Sequence, residues 1–328
     1  MKENLKFTES SEYLAARGEF ASYYESDILP VLQQAEKIRK RYAVTFWLMS
    51  VCILIWLGYV MFTIGQGFNP ENDSGKGSGY YGLAGCLLTL LLCWPMLSYH
   101  RRNKENLLPL IAKFFGEFTY VYRPELPLPL LEKSLLFKKN EPMMADDCFN
   151  GTYKGLPTNI VEYITYNIRR QRDEENRTER MVYAKKGGGI IFYAGMNKNF
   201  TGQTLVVADK GWLNKLVHYK NLQRVGLESP EFEKAYEVYS DNQIEARYLL
   251  TAVMLEYMTE LKKSFPKIEF SFFENHLLIK IETKKNMFEC TSFFRSVINK
   301  SRVEKIFTEL YLLFSVIETL RLNQQRML

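Results

Sequence analysis

The side chains of this 328-residue chain best suited to chemistry stand together in VYSDNQIEARYLLT, Val238 to Thr251. Asp241 and Glu245 are four apart, so a helix starting near Ser240 sets both on one face of its first turns, where the dipole favours negative charge. Arg247 precedes Leu250 by three and Met254 by seven. That phases it on or beside an apolar stripe of Ala246, Leu250, Met254, Met258 and Leu261. A guanidinium there needs a buried acid, because burying it unpaired is very costly. The phase predicts an internal ion pair tying this helix to a sheet, with Glu289 or Asp147 as the candidate acid. The competing chemistry is an anion site in which Arg247 forks a phosphate or carboxylate. Asp241 and Glu245 alone are a poor metal site.

Other candidates carry less. The glycines of KKGGGIIF, Gly187 to Gly189, precede a strand instead of following one, and no GK[ST] is present, so a turn is expected and not a phosphate cradle. Asp146 and Asp147 are adjacent and in a strand would point to opposite faces, which suits a turn better than an acid/base pair. His100, His218 and His276 are scattered, and neither a nucleophile elbow nor an HExxH helix occurs. The five cysteines form no CxxC or Cys/His cluster, which points to a reducing compartment. The residues therefore predict no catalytic set, no metal and no cofactor. The modest net charge of +6 does not suggest nucleic acid as a partner.

These residues stand behind a membrane segment. Ala43 to Ile64 is 22 residues without a charge, enough to cross a hydrocarbon core, and Tyr80 to Tyr99 has the same property. Basic residues flank the pair outside, at Lys37, Arg39, Lys40 and Arg41 and again at Arg101, Arg102 and Lys104, whereas the short linker holds few. The positive-inside rule then predicts a two-span hairpin, 43–64 and 80–99, in the inner membrane with both termini cytoplasmic. Neither span holds an ion-pathway residue, so the hairpin reads as an anchor, or as a packing surface for another membrane protein, and not as a transporter. Residues 1–42 read as a cytoplasmic amphipathic helix running into the first span. Residues 100–145 read as a stalk helix, through Tyr122, followed by a linker broken at Pro124, Pro127 and Pro129.

From Asp146 to the end the pattern is that of a cytoplasmic α+β domain. NIVEYITYNI, GIIFYAG and TLVVAD read as strands, and IEFSF with HLLIKIE as a hairpin turning at Glu274 and Asn275. A last helix opens with Ser301 and Glu304 as a capping box and carries a stripe of Val303, Phe307, Leu310, Phe314, Ile317 and Leu320. The expected fold is a mainly antiparallel sheet covered by two long helices. RRQRDEENRTERMVYAKK, Arg169 to Lys186, is the densest charge run and reads as a solvated hairpin tip, with a surface for anionic headgroups or an acidic partner as the alternative.

LESPEFEKAYEVYSDNQIEARYLLT, FYAGMNKNFTGQTLVVAD and ADDCFNGTYKG together resemble the bacterial membrane protein family known as domain of unknown function 3137. The resemblance runs from the stalk helix through the last helix. It implies a membrane hairpin near the N-terminus, a cytoplasmic domain behind it, and a LemA-type membrane protein as a possible partner. It implies no catalytic residue. One departure is Ala252, where the family pattern has proline after LLT. The function expected is that of a membrane-anchored interaction domain, an adaptor or complex subunit working at the lipid bilayer with a protein partner. The alternative is a membrane-bound enzyme or binding protein for a phosphorylated or lipid-headgroup ligand, using Arg247 with Asp241 and Glu245.

Overall fold

The computed structural model describes residues 10–65, 102–173, 178–196, 199–209, 221–284, 286–289 and 293–325, with single positions 85, 87, 99 and 219. Two compact units emerge, one of residues 1–22, 111–288 and 303–328, the other of 23–110 and 289–302.

The first unit is built on a sheet that has nine strands among the described residues, ordered β1-β2-β3-β4-β9-β8-β5-β7-β6. They are β1 (Glu117–Tyr122), β2 (Met143–Tyr153), β3 (Leu156–Asp173), β4 (Thr178–Gly195), β5 (Thr204–Ala208), β6 (Gln223–Val225), β7 (Tyr236–Ser240), β8 (Ile268–Phe273) and β9 (His276–Glu282). Every pairing among them is antiparallel. The β8–β9 hairpin is the one expected. Glu274 and Asn275 take φ of 47° and 60°, the paired left-handed positions of a two-residue turn. Ile268, Phe270 and Phe272 stand opposite Ile281, Ile279 and Leu277, all buried.

Two long helices pack on this fold, as expected, α7 (Ala252–Ser264) and α8 (Lys300–Gln325). Tyr236 on β7 donates its hydroxyl to Met258 O of α7 at 3.1 Å, and Tyr257 of α7 donates to Leu312 O of α8 at 2.6 Å. Phe314 of α8 stacks on Tyr153 with centroids 4.4 Å apart and lies edge-on to Phe192 at 5.9 Å. A second core of Leu136, Phe137, Tyr163, Ile191, Leu205 and Leu278 is roofed by Leu131 of the short helix α4 (Leu128–Lys133).

Several expectations fail here, each for a local reason. The stalk helix does not reach Tyr122. Its helix, α3, covers 102–113, and Glu117–Tyr122 is edge strand β1, registered on Asp147–Thr152 of β2. Thr119, Tyr120, Val121 and Tyr122 favour a pleated surface once Gly116 ends the helical run. The glycine run is not a turn but the middle of β4. A Cβ at Gly188 would run into the Tyr163 carbonyl and one at Gly189 into that of Ile281, so the absent side chains let three strands close up. Nor does Ser301 cap α8. Asn299 Oδ1 accepts from Arg302 N at 3.1 Å and from Ser301 Oγ at 2.8 Å, so the cap lies two residues earlier.

In the second unit, α2 (Leu29–Gly65) is the long apolar helix. It follows α1 (Ser11–Tyr23) through a π-helical turn, Tyr24–Ile28. Pro30, without an N–H, stands at the first turn of α2, where the wide turn absorbs the lost hydrogen bond. The helix running to Phe62 is long and apolar enough to cross a membrane. Trp47, Leu54, Ile55, Met61 and Phe62 are all exposed along it. At its charged base, Glu36 accepts from Arg39 at 2.6 Å and from Val297 N at 3.1 Å, and Arg39 donates on to Phe293 O at 3.0 Å. The expected second span lies almost wholly outside the described residues. Gly85, Leu87 and Tyr99 are helical, and a Cβ on Gly85 would stand 3.2 Å from the Trp56 ring.

Candidate functional site

Asp241, Glu245 and Arg247 are brought close by α6 (Gln243–Leu249), but not for one purpose. Asn242 caps this helix, its Oδ1 accepting from Ile244 N and Glu245 N at 3.2 Å each. Asp241 Oδ1 accepts from Gln203 N and Glu245 Oε2 from Gly202 N, both at 2.8 Å. The two carboxylates thus clamp the FTGQ turn before β5. A Cβ on Gly202 would meet Asp241 Oδ1 and Glu245 Oε2, each at 2.7 Å, so a side chain there would have to displace both carboxylates. Two of the segments read as family motifs are therefore halves of one joint.

Arg247 departs from expectation. The helix does not continue through residue 250. Leu250 leaves helical geometry, and Thr251 caps a new helix, α7, by accepting from Met254 N at 3.4 Å. The stripe residues Ala246, Leu250, Met254, Met258 and Leu261 are buried, but the break changes the phase between the two helices and leaves Arg247 exposed. It forms no buried ion pair. Its guanidinium donates only to Gln243 of its own helix, at 3.4 Å, among the described residues. The acids expected to hold it are engaged elsewhere: Glu289 with Lys104 at 3.5 Å, and Asp147 with the Tyr120 hydroxyl.

Arg247 instead lies on the wall of a groove of about 690 Å³. Glu228, Ser229 and Glu231, at the start of α5 (Pro230–Glu233), form one side, and Thr251, Leu255, Glu256 and Glu260 of the α6–α7 corner form the other. Glu228 and Glu231 are exposed and make no ion pair among the described residues. Glu260 is buried; one oxygen accepts from Lys263 at 2.6 Å, and Oε2 has no hydrogen-bond partner. Ile244, on the same helix as Arg247, is 81% exposed, with Tyr248 and Val253 also open to solvent. The groove is thus acidic, with one arginine, and exposed apolar side chains stand near Arg247 and Ala252 along the chain.

A second cleft of about 500 Å³ is lined by Lys138, Lys186, Lys267 and Lys280 with Glu141, Glu269 and Glu282. Its charges largely answer one another. Lys186 meets Glu141 at 2.9 Å, Lys280 meets Glu282 at 2.9 Å and Glu269 at 3.9 Å, and Lys267 meets Glu282 at 3.6 Å. Burial, with these glutamates nearby, pushes the Tyr163 phenol far above its ordinary pKa.

Sequence reasoning also missed an acidic cluster. A bulge between Ala145 and Cys148 breaks the alternation of β2, and carboxylate oxygens of Asp146, Asp147 and Glu162 come within 4.8 Å of one another. Glu162 Oε1 accepts from Met287 N at 3.3 Å, and all three acids have further partners. Burial, with the Asp147 charge beside it, raises the Cys148 thiol to about 11. A bulge leaves no plain mark in sequence. Of the histidines, only His276 is among the described residues, stacked on Tyr193 at 4.9 Å.

The family model described as protein of unknown function (DUF3137) matches residues 188–322. That span holds the groove and the FTGQ joint, while ADDCFNGTYKG lies ahead of it. No curated protein matches the chain. Among solved structures, the crystal structure of the mycobacterial trehalose monomycolate transport factor A, TtfA, is similar at 13% identity and a TM-score of 0.35, over 67% of this chain and 97% of that one.

Proposed function

With residues 188–322 matching a domain of unknown function 3137, we propose that the protein is a membrane-anchored docking protein whose groove beside Arg247 receives a segment of a partner protein. The observation that carries this reading is a set of residues with no internal task that line the groove or, as Ile244, stand one turn from Arg247 on its helix. Elsewhere in LESPEFEKAYEVYSDNQIEARYLLT, Ser229 and Asn242 cap helices, Glu233 holds Leu227 N at 3.0 Å, Phe232 is buried, and Asp241 and Glu245 hold the turn. Glu228, Glu231, Ile244 and Arg247 do none of this work. An arginine beside exposed apolar side chains, ringed by charges, is the composition of a binding hot spot. The partner segment has apolar side chains on Ile244 and Val253, Lys or Arg facing Glu228, Glu231, Glu256 and the buried Glu260, and one carboxylate received by the Arg247 fork.

The long apolar helix supplies the anchor. The charge asymmetry of its flanks supports cytoplasmic termini in an inner membrane, and the closeness of Gly85 to the Trp56 ring, with no room for a side chain at full van der Waals distance, supports a helical hairpin. A LemA-type membrane protein is one partner of the right location. The second reading is an anion site in which Arg247 forks a phosphate. The guanidinium, without an ion pair among the described residues, favours it, and the surrounding carboxylates oppose it.

The test is cross-linking in cells, mild-detergent purification of the full chain and mass spectrometry, with wild type beside Ile244→Asp and Arg247→Glu. A stoichiometric partner should accompany wild type and be lost from both variants, each costing about 2 kcal/mol, or roughly thirtyfold in affinity. Undiminished recovery with both variants contradicts docking at this groove. Thermal stabilisation of wild type but not Arg247→Ala by a phosphorylated headgroup would favour the second reading.

A further inference from the structure

Beyond Tyr166 and Lys185 the sheet narrows, among the described residues, to two strands. β2 stops pairing with β3 at Thr165, and β9 stops pairing with β4 at Gly189. β3 and β4 stay paired with each other out to Asp173 and Thr178. At about 3.3 Å per residue this makes a ribbon roughly 25 Å long. Residues 167–171 and 180–186 along it are exposed. A two-stranded ribbon alone in water is marginally stable at best, so one this long calls for a covering surface.

Its composition indicates which surface. The register puts Tyr166 opposite Lys185, Ile168 opposite Tyr183 and Arg170 opposite Met181, so these six side chains share one face. On that face Met181 and Tyr183 are 57% and 60% exposed, and the Tyr166 and Tyr183 rings meet edge-on at 6.3 Å. Arg169, Arg170, Arg180 and Lys185 make no ion pair among the described residues. Residues 166–172 and 180–186 contain no acid at all. The shaft between Tyr166–Arg172 and Arg180–Lys186 is therefore basic and bears an aromatic and aliphatic face, and the acids of the charge run, Asp173, Glu174, Glu175 and Glu179, fall between Arg172 and Arg180 in the sequence.

We propose that this ribbon lies on the anionic headgroup surface of a bilayer, with Tyr166, Ile168, Met181 and Tyr183 turned towards the lipid. Amphipathic rings settle at headgroup depth, and arginine and lysine are drawn to anionic lipid. A narrow ribbon has no pocket to grip a protein segment but can lie along a planar surface. The inference rests on the anchoring reading above, because the apolar helix of the same chain keeps a bilayer at high effective concentration.

The experiment uses the full chain in nanodiscs, either all phosphatidylcholine or rich in phosphatidylglycerol. Tryptic cleavage after Arg169, Arg170, Arg180 and Lys185 is compared with cleavage elsewhere in the chain. The ribbon sites should be cut roughly tenfold more slowly in anionic discs, with the protection lost at high salt. The double variant Ile168→Ser with Tyr183→Ser should lose that protection while other sites keep their rates. Equal rates in the two lipids would overturn the proposal. So would protection that follows the number of chains per disc rather than lipid charge, which would mean ribbons pairing between copies. A chain that fails to co-elute with discs would refute the anchoring reading itself, and with it the premise for the ribbon.

Discussion

A methyl group at Gly202 would be forced against two carboxylate oxygens that already hold the backbone on either side of it. Gly202→Ala should therefore destabilise the first unit by about 1–3 kcal/mol, seen as a lower melting temperature of the purified protein. Glu245→Gln, which keeps an acceptor for Gly202 N, should cost about 1 kcal/mol or less. A neutral Gly202→Ala would mean that the joint is looser than its geometry. The pairing of Asp241 with Glu245 on one side of their helix was legible from their spacing. Their partner was not, because it is backbone about forty positions earlier, and a peptide N–H has no letter in a sequence. Arg247 was misplaced for a different reason. Its burial was read by continuing one helix across Leu250, and a break of two residues there undoes the phase.

Among the elements, that break makes the sharpest test. Thr251 has φ −68° and ψ 163°, an extended conformation that tolerates a following proline. Ala252 is exposed at the first position of α7, where the missing N–H of proline costs nothing. Ala252→Pro, the residue of the family pattern, should keep the fold and stabilise it by about 0.5–1 kcal/mol. Ala246→Pro, inside α6 and buried, should disrupt the corner. Equal damage from both would contradict two separate helices. Elements with strong local signatures were legible, such as the β8–β9 hairpin through Glu274–Asn275. Those set by distant contacts were not. β1 gains its strand identity from β2, and the glycines of β4 from crowding by strands on both sides.

The molecule as a whole joins an α+β unit with a mainly antiparallel sheet to a unit holding one helix fit to cross a membrane. The fold class followed from β-branched runs and the closing helix stripe. The long apolar helix followed from its uncharged length. The groove was not legible, since its walls come from α5, α6 and α7, which meet only when β6 and β7 have been laid at the edge of the sheet. The central claim is that this groove docks a protein at a membrane. The most direct measurement places a photo-crosslinking amino acid at position 244 of the full chain in living cells, with position 144 as an exposed control, and identifies adducts in the membrane fraction. The account predicts one discrete protein adduct at 244, absent at 144 and abolished by Arg247→Glu. No adduct at 244, or the same adducts at both positions, would contradict it.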